Sequence, residues 1–181
     1  MRTDVKWAAI LAATNLGHLL VGHLLGFHSG RISQGMWYFP LAYLFIALCV
    51  SLGVRETGRQ ATGGYGRRSA AGFAIAGAAA LPVALGTYCH YRWIAADFTE
   101  HLLTHIRSQP MVQAMPPDEF ARIEPALRAV YSPLGLALAT PVVYLGVGGV
   151  TALIAAAVVR PGAFEPGRTT DHGVTGGGKN R

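Results

Sequence analysis

Four stretches of this chain, residues 7–27, 36–54, 70–94 and 134–159, are each of a length and apolarity that suit a bilayer crossing, and little sequence lies between them. A helix rises about 1.5 Å per residue, so crossing about 30 Å of hydrocarbon takes roughly 20 mainly apolar residues. The first, second and fourth stretches contain no Asp, Glu, Lys or Arg. A chain of 181 residues, 51% hydrophobic and only 13% charged, leaves no room for a separate soluble core. The expectation is an all-α integral membrane protein: four transmembrane helices and a short amphipathic helical extracytoplasmic segment, all within residues 1–160. Residues 161–181, mostly Gly, Thr and charge, bury too little to fold and are expected to form a disordered cytoplasmic tail.

The net charge of +6 raises the question of nucleic acid, and its distribution answers it. Arg2, Lys6, Arg55, Arg59, Arg67, Arg68, Arg160, Arg168, Lys179 and Arg181 fall on one side of the four spans. Arg31, Arg92, Arg107, Arg122 and Arg128 fall on the other, offset by Asp97, Glu100, Asp118, Glu119 and Glu124. The positive excess marks the cytoplasmic side, so both termini are expected inside a bacterial inner membrane. The charge then belongs to topology and anionic lipid head groups, with no nucleic-acid partner. Arg2 and Lys6 ahead of an apolar run imitate a signal peptide, but no small-x-small cleavage site follows, and a retained first span is expected. Cys49 and Cys89 fall at opposite depths, too far apart for a disulfide.

A turn over 28–35 should lead into the second span, with Trp37, Tyr38 and Phe39 at interface depth and Pro40 in the first helical turn. Within the outer connection, 95–132, Phe98, Leu102 and Ile106 recur at helical spacing. Asp97 and Glu100 form a reciprocal-cap pattern at that helix start. A second helix is expected from Pro117 to Tyr131, with Phe120, Ile123, Leu127 and Val130 on one side and a kink at Pro125. Ser132-Pro133 supplies an N-cap and first residue for the fourth span.

Small residues four apart let membrane helices approach closely: Ala9, Ala13 and Gly17; Gly72, Ala76 and Ala80; Ala152 and Ala156. They serve either the bundle itself, the preferred reading, or contact with a second copy. Asn15, His18 and His23 are polar groups within the first span, expected to face the interior because lipid penalises them. They serve either as interhelical hydrogen-bonding groups or as a ligand site. The histidines His23, His28, His90, His101 and His105 gather in the outer half or beyond it. His101 and His105, four apart, could share a metal ion if His90, His28 or Glu100 completed the set. Pro82 and Pro141 interrupt spans three and four as in transporters, yet no charged group lies centrally in any span, unlike proton-coupled carriers. The Gly63–Gly66 stretch lacks the lysine and strand–turn–helix setting of a phosphate loop, and reads as a flexible turn beside lipid-facing Arg67 and Arg68. No catalytic triad or carboxylate pair can be placed.

The order of parts resembles a known family. Two spans lead to Gly63-Gly64-Tyr65-Gly66 and a third span. Ala96-Asp97-Phe98 and Pro117-Asp118-Glu119-Phe120 then precede a Ser-Pro step into the fourth. This looks like the bacterial inner-membrane family called domain of unknown function 4199, over most of residues 5–160. The resemblance implies four spans with both termini inside, and no catalytic residue. The expected function is a non-enzymatic scaffold or interaction protein, without a cofactor, partnered by the bilayer and by a second copy or other membrane proteins. The alternatives are a small transporter using Asn15, His18 and the kinks at Pro82 and Pro141, and a metal- or haem-binding redox component on the outer histidines.

Overall fold

The structure, a computed structural model, describes residues 2–60 and 64–159. The expected disordered tail, and Gly63 of the glycine-rich turn, lie outside the described residues. Within them all regular structure is helical: α1 (Thr3–Leu24), α2 (Ile32–Tyr38), α3 (Leu41–Gln60), α4 (Tyr65–Cys89), a π-helical turn (His90–Ile94), α5 (Phe98–Arg107), α6 (Pro110–Gln113), α7 (Pro117–Val130) and α8 (Pro133–Val158). Four stretches are long and apolar enough to cross a membrane: Thr3–Leu24, Ile32–Arg59, Tyr65–Ile94 and Pro133–Val158. The helices α1, α3, α4 and α8 run alternately up and down as one bundle. One end carries Lys6, Glu56 and Tyr65; at the other, the capped end, α2 and α5–α7 gather.

Backbone proximity between α4 and α8 organises the bundle. Gly72, Ala76 and Ala80 are buried, as are Gly148, Ala152 and Ala156. A Cβ on Gly148 would stand 2.6 Å from the Cβ of Ala76, and one on Gly72 would strike Ala152. Around this seam Leu11, Ile46, Val50, Val54, Ile75 and Ala79 close the core. The stripe on α1 behaves otherwise. Ala9, Ala13 and Gly17 are exposed, and the packing face is Ala8, Leu11, Ala12 and Asn15. Large residues explain the difference: Leu11 fills the interior, which orients α1 and turns the small stripe outward. The outer surface is apolar too, with Leu81 and Val142 each 72% exposed.

Local chemistry sets the helix ends. Gly26 has φ +76°, the left-handed conformation that closes α1 in a Schellman turn, with Gly26 N–H donating to His23 O and Phe27 N–H to Gly22 O, both at 2.9 Å. Ser132 caps α8 as expected, its hydroxyl accepting from Gly135 N–H at 3.0 Å. The second span differs from its expectation. Ile32–Tyr38 is already helical, and Pro40 sits between α2 and α3 instead of inside a first turn. At the other end of the bundle Glu56 of α3 accepts from Lys6 Nζ at 3.0 Å and Trp7 Nε1 at 2.7 Å, tying α3 to α1. Arg68, expected to face lipid beside Arg67, is instead buried, and its Nε and Nη1 meet no partner among the described residues.

Replacing Gly72 by Ala forces a methyl into the α4–α8 seam and should cost about 1–3 kcal/mol. Gly17→Ala, where nothing lies within 4 Å, should be neutral or stabilising. Unfolding of both variants in mixed micelles by denaturing detergent checks this contrast.

Candidate metal centre

His23 and His28, five residues apart, meet His90, 62 residues beyond His28, at the capped end. The Schellman turn at Gly26 reverses the chain after α1, which carries His28 back beside His23 at the helix end. His90 arrives from α4, where the helix widens into the π-helical turn closed by Ala95 N–H donating to His90 O at 2.8 Å. Such turns recur at functional sites. Widening narrows the angle between successive side chains, and both His90 and Tyr91 are buried against the same space. One ring nitrogen from each of His23, His28 and His90 lies within 4.8 Å of the other two.

His28 Nδ1 and His90 Nε2 are 3.4 Å apart, and the Tyr91 hydroxyl is 3.3 Å from His28 Nε2. Phe39 stacks on the His28 ring at 5.4 Å, while Phe98 meets it edge-on at 5.5 Å. His28 and His90 are each only 2% exposed. The Nδ1 atoms of His23 and His90 have no hydrogen-bonding partner among the described residues. Buried polar atoms normally find one, so the cluster retains unmet capacity for a proton or a metal ion. Burial, with His90, His23 and His18 adding to it, pushes the His28 pKa down to about 4. The ring is therefore neutral at pH 7, the form a metal requires.

His–metal bonds of about 2.0–2.1 Å place tetrahedral ligand nitrogens roughly 3.3 Å apart. The His28–His90 pair already stands at that separation. With a metal on Nδ1, His28 keeps its proton on Nε2 and donates it to the Tyr91 oxygen, the kind of second contact that fixes a metal-binding imidazole. Among the described residues no Asp, Glu or Cys joins the cluster, so the ligand set they offer is neutral.

The other candidates sit elsewhere. His101 is exposed, and His105 Nε2 lies 3.0 Å from Gln109 Nε2. Neither belongs to the three-histidine group, whereas His90 does. Asn15 is buried and donates to Leu11 O at 3.2 Å. His18 stacks on Tyr38 at 4.0 Å, and Tyr38 donates its hydroxyl proton to His18 O at 2.9 Å. Asn15 and His18 both line a chamber below the histidine cluster. Pro82 and Pro141 lie inside continuous helices. The usable signal for the cluster was topological: alternate spans put His23, His28 and His90 at one end. The five-residue step across Gly26 matched no ligand spacing.

An ionic lattice roofs the centre. Arg128 donates to Glu124 at 3.0 Å and to both oxygens of Glu100, and Arg107 pairs with Glu124 at 2.6 Å. Arg107 also lies over the Phe120 ring, and the Thr99 hydroxyl donates to Tyr131 O at 2.8 Å. The expected reciprocal cap is not made: Asp97 forms no side-chain cap, and Glu100 takes the guanidinium of Arg128. Hydrogen bonding to Arg128 lowers the Glu100 pKa, and hydrogen bonding to Arg107 and then Arg128 lowers that of Glu124.

Comparison with known protein families, with curated proteins and with solved structures finds no match to this chain.

Two acid transitions should follow. His28 favours the folded state while neutral, a contribution complete above its ordinary pKa of 6.5 and lost as pH falls from there toward 4. Glu100 and Glu124 contribute while ionised, and lose that contribution as pH drops below the ordinary 4.5 and through their lowered values. Hydrogen exchange, corrected for intrinsic rate, should show residues 25–38 loosening in the upper window and α5–α7 in the lower. His28→Gln should remove the first transition, and Glu124→Gln should weaken the second.

Proposed function

We propose that this is a multi-pass membrane protein that binds a late first-row transition-metal ion, copper or zinc, through His23, His28 and His90 at its outer face. The observation that carries the reading is the convergence of three imidazoles, two of them buried, with one ring nitrogen of each within 4.8 Å of the other two. Imidazole suits copper and zinc, while a carboxylate-free site disfavours magnesium, calcium and manganese. Three protein ligands leave a fourth coordination position open. The roles assigned to the chain are holding and shielding the ion: Tyr91 orients His28, and Phe39 and Phe98 keep water from it. Binding is what these groups support, and the protein is placed outside the enzymes.

Membrane insertion is supported by the apolar exterior of the bundle, since surfaces of that extent are not left in water. We place the protein in a bacterial inner membrane with both termini cytoplasmic. The excess of Lys and Arg at the end opposite the histidines supports this orientation, as does the resemblance in order of parts to domain of unknown function 4199. The centre then faces the extracytoplasmic side, close to the membrane surface.

Purified, chelator-stripped protein should take up one copper or zinc ion per chain by elemental analysis and titration. His28→Ala and His90→Ala should abolish tight binding, and Tyr91→Phe should weaken it about 10–100-fold. The double substitution His101→Ala with His105→Ala should leave it unchanged. Tight binding that survives His28→Ala would overturn the site. Orientation is checked in a cysteine-free background, where Ser108→Cys should label from outside intact cells and Arg67→Cys only after lysis.

A further inference from the structure

Below the histidines the bundle forms a second, chemically different space, open on one side. A chamber of about 290 Å³ lies among α1, α3, α4, the π-helical turn and α8. Rings form much of its wall: His18, Phe39, Tyr43, Tyr91 and Tyr144. Among the described residues no Asp, Glu, Lys or Arg lines it.

Polar side chains in this wall have hydrogen-bonding capacity left over: the Tyr144 hydroxyl and His18 Nε2 are buried with no partner among the described residues, and Asn15 and Thr87 add to them. Asn15 uses one amide proton on Leu11 O, and its carbonyl and second proton have no partner among the described residues. Thr87 is more telling. The hydroxyls of Thr14, Thr57, Thr140 and Thr151 each turn back to the carbonyl four residues earlier, the usual way a helix satisfies threonine in an apolar setting. Thr87, by contrast, makes no such bond, nor any other among the described residues.

The mouth of the chamber lies on the flank of the bundle. Of the wall residues Tyr43 and Ala139 are the exposed ones, on α3 and α8. In the proposed orientation that gap faces acyl chains, so a ligand enters from the hydrocarbon layer.

We propose that the chamber binds the ring of a membrane-dissolved quinone. One ring carbonyl accepts from the Thr87 hydroxyl and the Asn15 amide, and the tail leaves between α3 and α8. A phosphate or carboxylate head would bring an unpaired charge into an uncharged wall, which is costly. An aliphatic alcohol would leave the aromatic wall unused, whereas a flat ring stacks on it. The volume stands at the lower end for small-molecule pockets, enough for one substituted ring. This site stands apart from the metal centre: Tyr91 and Phe39 border both spaces, but the groups that would hold the ligand are different.

The test uses the full chain in phosphatidylcholine nanodiscs, chelator-treated so that the metal reading cannot affect the outcome. Decylubiquinone should bind saturably at one per chain, read by native mass spectrometry and by quenching of intrinsic fluorescence. Thr87→Val and Asn15→Leu keep the shape of the wall, and each should weaken binding about three- to tenfold. Ala139→Trp, an outward-facing change, should block the mouth and abolish binding. Unsaturable uptake by the native chain, or unaltered affinity in both Thr87→Val and Asn15→Leu, would overturn the site. Equal displacement by oleyl alcohol would assign the chamber to lipid alcohols instead.

Discussion

The contact between α4 and α8 is the constraint from which the remaining geometry follows. Gly72 against Ala152 and Gly148 against Ala76 bring two backbones together with almost nothing between them. Where the surroundings are apolar, water exclusion contributes little between helices, and close dispersion contact has to substitute for it. That seam fixes the register of α4, and with it the place where the helix widens and presents His90 and Tyr91. The same seam holds Thr140 and Leu136 of α8 opposite Thr87, forming one side of the chamber.

The capped end is built differently, from polar groups that satisfy one another. Arg107 and Arg128 grip Glu100 and Glu124, so α5 and α7 are joined by charge. Exposed pairs of this kind contribute little individually. Their arrangement as a lattice still decides how the roof sits over the histidines. Beneath it Phe98 reaches the His28 ring, so docking of α5 and enclosure of the cluster are one event. The proposed metal and quinone sites thus lie at successive depths, one bordered by loops and turns, the other by helix faces.

Much of this was legible in the chain itself. Span number, the helices of the outer connection and the Ser132 cap follow from apolar run length, helical periodicity and capping chemistry. Those are local properties. The α1 stripe was not legible, because Ala9, Ala13 and Gly17 show the same spacing whether they face a neighbour or the exterior. Asp97 and Glu100 carried a valid capping pattern that lost to Arg128, 28 residues away. Arg68 was expected outward as a charge and is buried, with its Nε and Nη1 unpartnered among the described residues.

The histidines divide what the sequence decided from what tertiary structure decided. By itself the sequence determined four membrane-length apolar helices, an asymmetric charge distribution and the end of the bundle at which most histidines fall, since length, charge and alternation of direction are additive along a chain. Which three imidazoles converge was decided only in three dimensions. The left-handed residue at Gly26, the widened turn at His90 and the lateral packing of α1 against α4 each had to act together, and no spacing within one segment encodes that coincidence.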